Sequence, residues 1–236
     1  MHQAVRRKEK VLVTAASHVA VDNIAEKLAE GGLNIIRIGH PARVTSEPVL
    51  EHSLDVKIGR QLEIVRDLKY ELDTLKQRLH AGMNSRVPFI AAETQAQVLR
   101  KMLETEKAKL RDLKEREILT ADVVLGTLIG CGSALKFLNK SPHQHFQLTI
   151  IDECGQSLEM ACWIVIPRSP KLILAGDHKQ LPPTVITKTA PTSAELSKSL
   201  MERVLEEKFY NEYGKMLQVG CYCVTILLSM FYCPML

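Results

Sequence analysis

Apolar residues fall along this chain in two rhythms, and the change between them divides it. Short runs at residues 10–15, 34–38, 121–127, 148–151 and 172–175 have strand character. The runs at 148–151 and 172–175, rich in Ile and Leu, carry no alternating polar face. Runs of that kind suit strands buried on both sides of a parallel sheet. Between the first two runs, Val21, Ile24 and Leu28 form the apolar stripe of a helix over residues 17–30. Ser17 offers it an N-cap and Gly31-Gly32 a stop. Strand, helix, strand in that order predicts an α/β fold, a parallel sheet flanked by helices.

From about residue 50 to residue 119 the period becomes helical throughout. Ile58, Val65, Leu72 and Leu79 repeat every seven residues, with Leu62, Leu68 and Leu75 between them. That a/d stripe predicts a helix packed on another helix. Residues 81–88 turn the chain, and Val98, Met102, Leu103, Leu110 and Leu113 form the apolar side of a second helix. An antiparallel helical hairpin inserted into the sheet domain follows, its charges read as a solvated face. Residues 195–208 predict a last amphipathic helix with Leu196, Leu200, Val204 and Leu205 inward. Trp163 is read as core. The expected segments are 1–49 and 120–213 for the two parts of the sheet domain, 50–119 for the insert and 214–236 for an atypical apolar tail.

Candidate chemistry sits at two strand ends. The run at 148–151 stops at Asp152-Glu153, and the run at 172–175 stops at Gly176-Asp177-His178-Lys179-Gln180. In open α/β sheets, ligands bind at the carboxyl ends of the strands. Asp152 can hold Mg²⁺, and a second carboxylate, Glu153, can orient or deprotonate a water. The same pair also reads as an acidic strand end leading into a helix. Asp177 and Gln180 add polar reach toward phosphate or water, after a turn that Gly176 permits.

The motifs DECGQSLE and GDHKQLPP resemble motifs II and III of superfamily 1 helicases of the Upf-like group, and VLVTAASHVAVDNIAEKL resembles their motif Ia. The resemblance runs from about residue 3 to residue 207. It implies a RecA-like sheet, ATP and Mg²⁺ as cofactors, and single-stranded RNA or DNA as partner. Asp152 becomes the magnesium ligand, Glu153 the general base, and Gln180 with Asp177 the sensor of the γ-phosphate. Ser17, His18, Asn23 and Thr127 become contacts to the strand backbone, although a plain helix cap also explains Ser17. His18 stands where relatives carry Asn. The resemblance further implies 5′-to-3′ movement and a place in cytoplasm and nucleus. It allows ribosome association and leads us to expect a monomer.

Composition changes this picture little. The net charge of +4 over 236 residues permits a nucleic-acid partner without demanding one. Aromatic residues make up only 5%, which argues against a base-stacking platform. Six cysteines show no CxxC pairing, so a structural zinc site is not expected, and Cys131 and Cys154 read as buried small residues. His143 and His145 read as loop histidines, and Arg43 as either a phosphate contact or a surface residue. The uncharged tail is either a membrane anchor, which is not favoured, or a terminus unrelated to the family. The sequence contains no G-x-x-x-x-G-K-[ST] phosphate loop. The chain alone is therefore expected to be a helicase fragment, or a binding module, without turnover.

Overall fold

The computed structural model describes residues 1–80, 86–136, 138, 145–177, 179–185, 196–207, 214–219 and 223–229. The apolar runs form β1 (Val11–Ala15), β2 (Ile35–Ile38), β3 (Val123–Thr127), β4 (Leu148–Asp152) and β5 (Lys171–Gly176). These five are parallel, in the order β2-β3-β1-β4-β5. Ala15 stands opposite both Thr127 and Asp152, so the central strands end level on one rim. The fold is α/β and RecA-like.

Both faces of the sheet are covered, as uniformly apolar strands require. Val11, Val13 and Ala15 pack with Val123, Leu125 and Ile150 against α2 (His18–Glu30), which contributes Ala20, Val21, Ala25 and Leu28. Ser17 starts that helix as predicted: its hydroxyl accepts from the Ala20 N–H at 3.1 Å. The opposite face, with Leu12, Ile36, Val124, Ile151 and Leu174, packs on α7 (Leu128–Ala134) and α8 (Glu159–Cys162), and on α9 (Leu200–Glu206). Each fully buried Val, Leu or Ile is worth about 1.5–3 kcal/mol relative to exposure. Together these two layers fix the rim on which the candidate site stands.

The remaining helices are short α1 (His2–Arg6), α3 (Glu47–Leu50) and α4 (Leu54–Lys57), and long α5 (Gly59–His80) and α6 (Arg86–Thr120). The last two lie between β2 and β3 in the chain. Gln61 bonds to Glu106 while Leu72 packs with Ala96 and Leu99, so contacts run in opposite sequence directions and the pair is antiparallel. The expected apolar side of the second helix needs correction. Val98 and Met102 are half exposed, at 51% and 49%. Leu103 and Leu110 are buried as expected, while Ala92, Ala96 and Leu99 are buried in place of Val98 and Met102. Alanine completes the stripe at i, i+4 and i+7, and a search for large apolar side chains passes over it.

Three other expectations change. The last helix is shorter than 195–208, because Ser199 caps a new start through its hydroxyl and the Glu202 N–H, 3.1 Å apart. Trp163 is only partly buried against the core, with its indole N–H donated to Glu159 at 3.1 Å. The described residues of the tail, 214–219 and 223–229, belong to the sheet. Within it, β7 (Cys223–Ser229) pairs antiparallel with β5, from Lys171↔Ser229 to Gly176↔Val224, and β6 (Gly214–Val219) pairs with β7. Without that neighbour β5 would present a row of unpaired backbone groups, which an uncharged, β-prone run satisfies. Among the described residues no helix is long and apolar enough to cross a membrane. Residues 81–85, His143, His178, Glu195, Lys208, Cys221 and Cys233 lie outside the described residues.

Candidate functional site

At the rim, β4 and β5 deliver their polar ends to one cavity. It measures about 200 Å³ and is lined by Asp152, Glu153, Gly155, Gln156, Gly176, Asp177 and Gln180. The four residues expected from the two strand tips thus meet in one place. Gly176 makes the meeting possible. Its φ is +154°, and a β-carbon there would stand 3.0 Å from the Cys154 nitrogen and 3.2 Å from that of Gly155. Only a residue without a side chain lets the end of β5 pass so close to the turn after β4.

Glu153 is held in a left-handed backbone conformation, φ 51° and ψ 35°. For a residue other than glycine that costs on the order of 1 kcal/mol or more and is a mark of functional turns. The turn is pinned from below, since the Glu153 carbonyl accepts from the Gln156 N–H at 2.9 Å and the Ser157 hydroxyl at 3.1 Å. Its carboxylate accepts from the Ser17 hydroxyl at 3.4 Å. Gln156 donates its side-chain N–H to the Gln180 carbonyl oxygen at 3.2 Å. Asp177 accepts from the Lys179 backbone N–H at 2.9 Å.

Beside this cavity, across the ends of β1, β2 and β3, runs a groove of about 1140 Å³. His18, His40, Arg43, Lys114 and Thr127 line it, with Asp55 the one carboxylate in its lining. Gln156 lines both concavities. The expected strand contacts separate here. Thr127 faces the groove while its hydroxyl caps α7 through the Gly130 N–H at 3.2 Å. Ser17 spends its hydroxyl on the α2 cap and on Glu153. Asn23 is exposed on α2 and lines neither concavity. Arg43, left open between two readings, lies in the groove lining. Lys114 and Gln156 have no role in the sequence reading: Lys114 reads as one more charge on a long helix, and Gln156, inside DECGQSLE, stands behind the acidic pair that carries the motif's chemistry.

Behind the groove lies a buried ion pair. Arg37 on β2 and Asp22 on α2 are 0% and 1% exposed, with Nε 2.9 Å from Oδ1. Arg37 also donates to the Ile38 carbonyl and meets His18 Nδ1, both at 3.0 Å. Asp22 accepts from the backbone N–H and the hydroxyl of Thr45 at 2.7 and 2.9 Å. Burial, then Arg37 and Arg43, hold the His18 pKa below its usual value. Cys131 and Cys154 are buried as expected. Burial pushes the Cys131 thiol up to about 12, and the hydrogen bond with Cys162, with burial, raises that of Cys154. Neither is a nucleophile at neutral pH.

A five-stranded parallel sheet with acidic and amide side chains gathered at its rim defines the class, a RecA-like α/β domain. A family model described as "AAA domain" matches residues 1–188. "DNA-binding protein SMUBP-2" of Mesocricetus auratus is 42% identical over 217 residues, 87% of this chain and 20% of that protein. "DNA polymerase alpha-associated DNA helicase A" of Schizosaccharomyces pombe is 35% identical over 193 residues, 80% of this chain and 27% of that protein. "ATP-dependent helicase NAM7" of Saccharomyces cerevisiae is 31% identical over 210 residues, 86% of this chain and 18% of that protein. The chain belongs to the superfamily 1 helicases, within the AAA-domain family. It spans about a fifth to a quarter of the length of these relatives.

Proposed function

We propose that this chain is the core of the first motor domain of an ATP-dependent helicase that moves along single-stranded DNA or RNA. One observation carries the reading: Asp152, Glu153, Asp177 and Gln180 converge on one cavity at the strand ends, next to a groove lined by cations. The cavity's donors are all oxygens and amides. Such a set fits Mg²⁺, which takes one or two carboxylates and completes its shell with nucleotide phosphates and water. Among the described residues no group of three or more His, Cys, Asp and Glu forms a metal cage.

In this reading Asp152 would hold the ion, and Mg²⁺-ATP when bound supplies the transferable phosphoryl group with its charge neutralised. Glu153 takes the proton of the attacking water, its carboxylate oriented by the Ser17 hydroxyl. Gln180, positioned by Gln156, reports on the γ-phosphate together with Asp177. Thr127 is assigned to the strand from its place in the groove lining, Ser17 by way of the α2 cap, and Asn23, outside the groove, by resemblance alone. Movement 5′-to-3′ and residence in cytoplasm and nucleus belong to the same reading by resemblance. The 236 residues hold no phosphate loop, and arginines acting on the transition state are worth about 10³–10⁵ in rate. Turnover by the chain alone is therefore negligible.

The test joins the chain to an upstream phosphate-loop segment and a second motor domain and measures nucleic-acid-stimulated ATPase. Glu153→Gln should lower kcat by about 10²–10⁴-fold. Equal activity with and without that change would remove Glu153 from the chemistry. A second reading, a strand-binding module without turnover, is favoured by a sequence of 236 residues that contains no phosphate loop. Salt-sensitive binding of single strands by the chain with no ATPase, even in the joined protein, would select it.

A further inference from the structure

The seven-stranded sheet ends differently at its two sides. At one side β2 is closed off by the chain itself. The Arg37 N–H donates to the His52 carbonyl at 2.9 Å, and Arg37 stands in a parallel bridge with Ser53. At the other side β6 is outermost. It pairs with β7 along its whole length, from Gly214↔Leu228 to Val219↔Cys223, and among the described residues no strand pairs with its outer side. In an antiparallel ladder alternate residues turn their N–H and C=O away from the neighbour, so β6 offers a row of open donors and acceptors. Folded proteins blunt such an edge with several charges, a proline, a bulge or brevity. β6 reads Gly-Lys-Met-Leu-Gln-Val, six residues in unbroken register with one charge and no proline.

We propose that β6 is a self-association edge: two copies of this chain pair their β6 strands antiparallel across a two-fold axis, joining two seven-stranded sheets into one. The occupant is a second copy because the edge is complementary to itself. With the axis between Met216 and Leu217, Gly214 stands opposite the partner's Val219, Lys215 opposite the partner's Gln218, and Met216 opposite the partner's Leu217. Every residue of the strand is used, and each lysine faces an amide. A register centred on Lys215 would set the two lysines against each other, which is destabilising, and would pair only half of each strand. An isologous contact of this kind closes at two copies, and with β2 closed off no second edge extends it. β6 runs in the direction of β5, since each is antiparallel to β7. In the pair the two rims therefore point to opposite ends of the joined sheet. The resemblance that leads to a monomer ends at about residue 207, before either strand of this hairpin begins.

The test is sedimentation velocity of the full 236-residue chain at loading concentrations from about 1 to about 200 µM, the range in which a small interface associates. The weight-average mass should rise with concentration and level at twice that of one chain. Gln218→Lys places a second cation opposite the partner's Lys215, twice per pair, and should weaken the dimer about threefold or more. Gln218→Glu places a carboxylate there and should tighten it by a similar factor. Within one chain residue 218 stands opposite Val224, so neither change alters a charge pair of the hairpin. Hydrogen–deuterium exchange of peptides covering residues 214–219 should slow with concentration in step with the mass. A mass of one chain throughout, a mass that climbs past two, or two Gln218 variants that shift association in the same direction would overturn the proposal. So would protection of residues 214–219 at every concentration without a rise in mass, because the same chain would then cover the edge.

Discussion

Asp22 and Arg37 offer the sharpest test of how this fold carries its groove. Both are essentially unexposed, and their contact at 2.9 Å is one of five hydrogen bonds that the two side chains make or share. Removing one member of a buried pair leaves an uncompensated charge and costs about 3–5 kcal/mol. Asp22→Ala also strips the Thr45 N–H of its acceptor, adding on the order of 1 kcal/mol. The expected loss of about 4–6 kcal/mol is a large share of the 5–15 kcal/mol typical of a domain. Arg37→Met should cost about 3 kcal/mol, since Asp22 keeps both bonds from Thr45. In the double variant the cost should fall below the sum of the singles by at least about 1.5 kcal/mol, because no orphaned charge remains. Urea unfolding followed by far-ultraviolet circular dichroism measures all three. If either single change costs less than about 1 kcal/mol, or the double is additive to within about 0.5 kcal/mol, the pair is not the brace described above.

Four further outcomes follow from other elements. Gly176→Ala should destabilise the chain by about 1–3 kcal/mol in the same unfolding assay, because its β-carbon meets the backbone nitrogens of Cys154 and Gly155. In the helical pair, Leu99→Ala should cost about 2–3 kcal/mol and Met102→Ala less than about 0.5, and the reverse ranking would return the seam to the side first read from the sequence. The folded-state pKa of His18 lies below the unfolded value, so its contribution to stability is present above about pH 6.5 and lost as pH falls through the lower folded value. Wild type should accordingly lose more of its urea midpoint than His18→Asn on acidification below about pH 6.5. Cys131, Cys154 and Cys162 should resist iodoacetamide in the native chain and react on unfolding, as peptide mass spectrometry would show, given their burial and raised thiol pKa values at Cys131 and Cys154.

Much of this protein is determined locally, and that part is legible in the sequence. The strand cores at Val11–Ala15 and Leu148–Asp152, the Ser17 cap and the acidic strand tip depend on neighbours within a few positions. Backbone preference and period therefore reveal them without a fold. The joining of Asp152-Glu153 to Asp177 and Gln180 was also foreseen, because parallel strands deliver their carboxyl ends to one rim whatever covers their faces. Other features were decided by distant partners. Val98 and Met102 lost the helix seam to Ala96 and Leu99 because a partner helix selects the face that packs closest, not the one with the largest side chains. Residues 223–229 became strand because β5 left a row of unpaired backbone groups, and no local signal announces an open edge elsewhere in the chain. Arg37 reads in sequence as a charge in an apolar run. Only tertiary structure supplies Asp22 on one side and His18 on the other, and with them the low-dielectric setting that turns a charge into a brace.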